Sequence, residues 1–263
     1  MTDRPSTSSL ANPDPASGHL LPAGEGKEVP VGDDRFRARH TVITLPPSAP
    51  GLRIGLLGGS FNPAHDGHRH ISLEAIARLN LDRVWWLVSP GNPLKSHADL
   101  ASQDARVAAA AKVAHHPKIT VTGLESALGT PFTAETLGYL TARCPLVDFV
   151  WLMGADNLAS FHRWRDWTKI MRTVPVAVFD RPGWRYRALG SRAAQAFATA
   201  RLPEAESRLL AGHRRPAWCL ISIPLSLQSS SKLRARGEPG WRPLPIGADA
   251  TRAGHQRLAT GIS

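Results

Sequence analysis

Two glycines, Gly58 and Gly59, close the apolar run of LLGGSFNPAHDGHRH, and His65, His68 and His70 follow within a dozen residues. Glycines behind an apolar run let a backbone turn tightly and approach a ligand, leaving amides free for anionic oxygens. Their spacing fits neither G-x-G-x-x-G nor G-x-x-x-x-G-K-[ST], so neither an oxidoreductase dinucleotide turn nor a P-loop is supported. Histidines supply the missing phosphate contacts. His65 and His68 are three apart, so a helix beginning there carries both imidazoles on one face of its first turn. The helix amino end adds partial positive charge. Such donors suit a phosphoryl group whose charge grows during displacement, each contributing roughly 3 kcal/mol, and no protein nucleophile is required. Two other readings stand beside this one. A zinc cage usually recruits Cys or carboxylates at ligand spacing, and HEXXH is absent; plain surface or capping roles for the histidines remain open at this point.

The elements that position these groups are legible as an alternation. RIGLLGG is a short β-compatible run ending in glycines, HRHISLEAIARLN places Ile71, Ala75, Ile76 and Leu79 at helical spacing, and RVWWLVS reads as a second buried strand. Helices near 104–114 and 133–143 and strands at 118–123 and 147–153 continue the pattern, with further strands at 174–179 and 217–221. This order predicts an α/β fold, a doubly wound, mostly parallel sheet with right-handed crossovers, whose ligands bind beyond the carboxyl ends of the strands. Residues 1–50, rich in Pro, Ser, Gly and Asp, are expected to form a disordered leader. The folded domain is expected over 51–236, with a helical insertion at about 185–216 and an unstructured tail at 237–263.

Composition narrows the class. A chain of 263 residues can bury a real core without staples. Cys144 and Cys219 match neither a metal spacing nor a disulfide framework, which fits a reducing compartment. No run of eighteen apolar residues and no signal-peptide core is present, so a soluble cytoplasmic protein is expected. The net charge of +11 and pI of about 10.7 fit a nucleic-acid partner, an anionic small substrate or an arginine-rich proteome. The cations form no dense run, and GHRRP and RARG are short, so no nucleic-acid partner is expected. An oligomeric state is not legible.

GGSFNPAHDGH resembles the [ST]-F-x-P-x-H-x-G-H signature of the nucleotidyltransferase superfamily. TPFTAETL at 130–137, WLMGADNLASFHRW at 151–164 and FDRPGW at 179–184 follow in the order of bacterial nicotinate-nucleotide adenylyltransferases, a resemblance that covers about Leu52 to Arg236. It implies a Rossmann-like nucleotidyltransferase fold that moves the adenylyl group of ATP, accompanied by Mg2+, onto nicotinate mononucleotide, giving deamido-NAD and pyrophosphate. Nicotinamide mononucleotide and pantetheine phosphate are the alternative acceptors, and a non-catalytic nucleotide- or RNA-binding module is the alternative of another class.

The same resemblance implies roles for single residues. His65 and His68 hold the phosphates around the reacting phosphorus, with Gly58, Gly59, Ser60 and Phe61 beside them. SSSKLRAR resembles the family's S-[SA]-T-x-[IL]-R clamp, which assigns Ser230, Ser231 and Arg234 to phosphate, although Ser231 stands for threonine and Lys232 for an apolar residue; physically it reads as a serine-capped helix start. Asn92 in the loop after the second strand is a nucleotide contact or plain turn chemistry. Lys95 in that loop, at a shorter spacing than the family's, and Arg165 are further basic candidates. Thr133 and Trp164 correspond to the residues that read the nicotinate carboxylate and ring, against the readings of a helix cap and a buried tryptophan. Asp156 fits a ribose contact or an N-cap.

Overall fold

The computed structural model describes residues 43–91 and 100–223. Seven strands form one sheet: β1 (Arg53–Gly59), β2 (Arg83–Val88), β3 (Ile119–Thr122), β4 (Asp148–Gly154), β5 (Val176–Phe179), β6 (Arg201–Leu202) and β7 (Trp218–Ile221). Their order is β3-β2-β1-β4-β5-β7-β6, and every pair is parallel. Parallel strands are covered on both faces and therefore read as nearly unbroken apolar runs, as RVWWLV and FVWLMG do. Successive side chains alternate between faces, so Trp85 and Trp86, both fully buried, enter separate cores.

Helices α1 (Asp66–Arg78) and α2 (Gln103–Ala114) cover the face that holds Trp86, where Ile71, Ala75, Ala110 and Ala114 are buried. The opposite face, with Trp85, Trp151 and Trp218, is covered by α3 (Leu124–Ala127), α4 (Thr133–Arg143), α5 (Ala155–Ser160), α6 (Trp167–Thr173), α7 (Arg185–Leu189) and α8 (Arg192–Ala196). The chain winds from β1 outward through β2 and β3, then returns to the centre and proceeds through β4 and β5 in the other direction. The switch of direction falls between β1 and β4, the position where such sheets open a crevice.

The sequence expectations meet this architecture with definable differences. The sheet is parallel throughout its described strands. Ile43 and Leu45, within the stretch expected to be a leader, pack against the core; residues 1–42 of that leader and the whole tail lie outside the described residues. The 185–216 segment holds α7, α8 and two 3-10 stretches, and it also contributes β6, which pairs with β7 through Arg201 and Leu202. Two residues are too few to show strand periodicity, which explains why a purely helical insertion was expected. The short α3, α5 and α6 carry no full turn-to-turn repeat either.

Candidate active site

At the carboxyl end of β1 the backbone makes a constrained exit. A Cβ on Gly58 would collide with the Trp151 indole, so the core itself requires glycine there. A Cβ on Gly59 would meet the Phe61 ring at 3.5 Å, an ordinary contact, so packing alone does not require glycine at that position. Phe61 has φ 47°, a left-handed conformation uncommon for a bulky residue. Its ring is buried, stacked on Trp86 at 5.0 Å and set 4.7 Å from His68. The Trp86 indole N–H donates to Ser72 Oγ, which donates to the His68 carbonyl, so β2 locks the first turns of α1.

His65 is the N-cap of α1 and His68 its third residue, and the two cap each other's turn. The Gly67 N–H donates to His65 Nδ1 at 3.1 Å, and the His65 N–H donates to His68 Nδ1 at 3.2 Å. A ring whose Nδ1 accepts a hydrogen bond carries its proton on Nε2 when neutral. Both rings are held neutral. Burial, then the nearby Arg181 charge, lowers His65 to about 4, while burial, His65 and Arg181 hold His68 well below the usual histidine range. The ring centroids lie 3.9 Å apart. Capping and phosphate-donor roles thus prove compatible, since the cap uses Nδ1 and leaves Nε2–H.

Across the switch point, Asp156 sits in the first turn of α5. The N-cap is Gly154, without a side-chain cap bond, so Asp156 is not a cap. Its Oδ2 accepts from Arg181 Nη1 at 3.2 Å, and its Oδ1 is buried without a hydrogen-bond partner among the described residues. Gly154 makes room for this pair, because a Cβ there would press on Asp156 Oδ1 and lie 3.1 Å from Arg181 Nε. Arg181 was not singled out from sequence. Its signal was its place in FDRPGW, just past the carboxyl end of β5.

A second group gathers on the other face. Trp164 is half-buried and meets Trp151 and Phe161 edge to face at 6.3 and 5.2 Å. Since Trp151 covers Gly58, this group adjoins the end of β1. The Arg165 guanidinium lies 4.3 Å from the centre of the Phe132 ring and 3.6 Å from Glu135. Thr133 opens α4 as its first residue, and the cap position belongs to Phe132, so a Thr133 cap is not formed. Thr130 satisfies the turn instead, accepting from the Phe132 N–H and donating to Glu135. Asn92, Lys95, Ser230, Ser231 and Arg234 lie outside the described residues. The chain leaving β7 toward the last three is held by Ser222, whose N–H and hydroxyl both donate to Glu204 and whose hydroxyl accepts from Arg185.

A pair of neutral imidazoles at the switch point of a parallel sheet fits one class: a Rossmann-like nucleotidyltransferase. The chain belongs, more narrowly, to the nicotinate-nucleotide adenylyltransferases of the cytidylyltransferase-like family, whose sequence profile matches residues 56–236. Over 185 residues it is 56% identical to a Methylorubrum extorquens protein named "Probable nicotinate-nucleotide adenylyltransferase", spanning 70% of this chain and 100% of the relative. A protein of the same name from Cereibacter sphaeroides is 55% identical over 189 residues, 72% of this chain and 98% of its own length. In fold it is similar to the Plasmodium falciparum nicotinic acid mononucleotide adenylyltransferase complexed with NaAD, with a TM-score of 0.53 and 20% identity over 70% of this chain and 83% of that one.

Proposed function

We propose that this protein transfers the adenylyl group of ATP to nicotinate mononucleotide, releasing pyrophosphate and forming deamido-NAD in NAD biosynthesis. The reciprocal capping of His65 and His68, which leaves two neutral Nε2–H donors side by side, is the observation that carries the reading. A phosphate oxygen of the mononucleotide attacks the α-phosphorus of ATP; a P–O bond forms there as the bond to the β-phosphate breaks, and pyrophosphate leaves with the electron pair. The attacking phosphate is already ionised near neutral pH, so positioning and charge stabilisation suffice.

In this reading His65 and His68 donate to the oxygens on the α-phosphorus, the amides of Gly59, Ser60 and Phe61 face the phosphates, and Arg181 adds positive charge. Asp156 Oδ1, buried and unpartnered among the described residues, receives a ribose hydroxyl. Trp164 stacks on the nicotinate ring and Thr133 reads its carboxylate, with Arg165 nearby. Asn92 and Lys95 contact nucleotide from the loop after β2, and Ser230, Ser231 and Arg234 hold the β- and γ-phosphates. Mg2+ comes with ATP and neutralises phosphate charge. Among the described residues no three His, Cys, Asp or Glu gather to hold a metal, and imidazole and amide donors fit a cation carried on the nucleotide. No described helix is long and apolar enough to cross a membrane, and we read the enzyme as cytoplasmic.

Pyrophosphate release from ATP, measured with nicotinate mononucleotide, nicotinamide mononucleotide and pantetheine phosphate in turn, tests the reading. The expected outcome is a clear preference for the nicotinate form. Turnover of the amide alone would overturn the acceptor, and no release with any of the three would leave a nucleotide-binding module.

A further inference from the structure

Arg106 projects from α2 and is 2% exposed, yet no carboxylate pairs with it among the described residues. It donates to four backbone carbonyls instead. Nη1 reaches Ser60 and Ser89, both at 2.7 Å, Nη2 reaches Pro90 at 3.2 Å, and Nε reaches Ala101 at 2.9 Å. One guanidinium therefore ties the exit of β1, the exit of β2 and the entry to α2 together. The Ser89 N–H, donating to the Gly59 carbonyl at 2.9 Å, closes the same seam.

Burying a cation without a counter-ion is unfavourable, and burial indeed lowers the proton affinity of this guanidinium. An apolar side chain would fill the space without that penalty. What only the planar fork supplies is orientation of several carbonyls at once. The C=O and N–H of a trans peptide point in opposite directions. With the Ser60 carbonyl held against Arg106, the Phe61 N–H of the same peptide faces away from it.

We infer that Arg106 is a positioning residue of the phosphate site, which by fixing the Ser60 carbonyl presents the Phe61 amide to the nucleotide phosphates from a loop that cannot swing. The inference rests on the adenylyl-transfer reading. Arg106 touches no substrate; it acts through the backbone.

Two experiments test it. In the first, Arg106→Lys keeps the charge and loses the fork. Measured well below its melting temperature, it is expected to lower kcat about 30-fold while KM for the mononucleotide changes less than threefold. A kcat per folded molecule within twofold of the parent would overturn the inference, since a purely structural role lowers only the melting temperature. The second uses the unaltered chain and is therefore independent of whether the variant folds. In 15N NMR, a non-hydrolysable ATP analogue with Mg2+ is expected to shift the Phe61 amide together with the His65 and His68 ring resonances. Ring shifts without a Phe61 shift would overturn the role of Arg106 alone. No response from either would bring down the nucleotide reading and this inference with it.

Discussion

The two ends of the sheet are built differently. At the amino ends the groups close on one another: the Arg53 N–H donates to Asp82 Oδ2 and the Asp82 N–H donates back to the Arg53 carbonyl, both at 2.8 Å, with the two side chains 3.7 Å apart in partly exposed positions. At the carboxyl ends Ser222, Glu204 and Arg185 close on one another beyond β7, but several buried polar groups nearer β1 and β4 are only half satisfied among the described residues. Among the described residues Asp156 Oδ1, just beyond β4, lacks a partner, His65 and His68 are kept neutral, and Arg106 has carbonyls but no anion. Of the other buried unpartnered side-chain atoms described, the Trp85 and Trp151 indole nitrogens lie within strands. The same parallel strands make both ends. Among the described residues, then, the amino end closes on itself, whereas the carboxyl end keeps the polar groups that the proposed adenylyl transfer would use.

Removing a donor from the open end is the strongest way to sharpen that contrast. His68→Ala is expected to lower kcat by roughly 10²-fold or more, as loss of one preorganised donor does, while leaving α1 folded by circular dichroism. His65→Ser separates the two uses of the neighbouring ring, because serine can still cap the Gly67 N–H but offers no Nε2–H. A similar loss of kcat with unchanged melting temperature is expected. If both variants turned over normally, the open end would be structural after all.

What could be read from sequence follows the same division. The strands were legible because burial on both faces writes them as apolar runs, and the histidine pair was legible because three-residue spacing at a helix start fixes one face. Arg106 was not, since RVAAAAK shows a cation in an alanine-rich helix, and only the fold reveals that its direction is inward. Arg181 lay in a quoted motif but acquires a role only when β5 is placed beside β4. For Thr133 and Asp156 a helix cap stood as the alternative to a substrate contact because their residue types cap helices, but Phe132 and Gly154 occupy those positions. The side chains were predictable where periodicity decides them and unpredictable where tertiary neighbours do.

Glu125 extends the comparison to stability. It lies in α3, just past the carboxyl end of β3, and burial raises its carboxyl to about 8 despite a hydrogen bond from Thr136. A folded pKa above the unfolded one means the native state keeps a proton that the unfolded chain releases, so stability falls as pH rises from about 4.5 to 8. His65 acts oppositely, its lowered pKa making stability rise with pH between about 4 and 6.5. Between about pH 6.5 and 8 the Glu125 carboxyl is, among the described groups with a resolved shift, the one whose titration changes stability. Urea denaturation is expected to show a loss of up to about 2 kcal/mol between about pH 6.5 and 8, and Glu125→Gln, which keeps a partner for Thr136, is expected to abolish the slope. A persistent slope would assign the titration elsewhere.

The smallest effect belongs to the closed end. In Arg53→Ala the side-chain pair with Asp82 is lost, but the two bonds that use the Arg53 backbone, its N–H to the Asp82 carboxylate and its carbonyl from the Asp82 N–H, remain, because neither uses the guanidinium. The pair is partly exposed on both sides, where such contacts contribute about 0–1 kcal/mol. Thermal melting is therefore expected to shift by a few degrees at most, with kcat and KM unchanged, since the residue lies at the opposite end of β1 from Gly59. A variant with intact stability but reduced kcat would mean that the two ends of β1 are coupled through the strand, and that the amino end does more than close on itself.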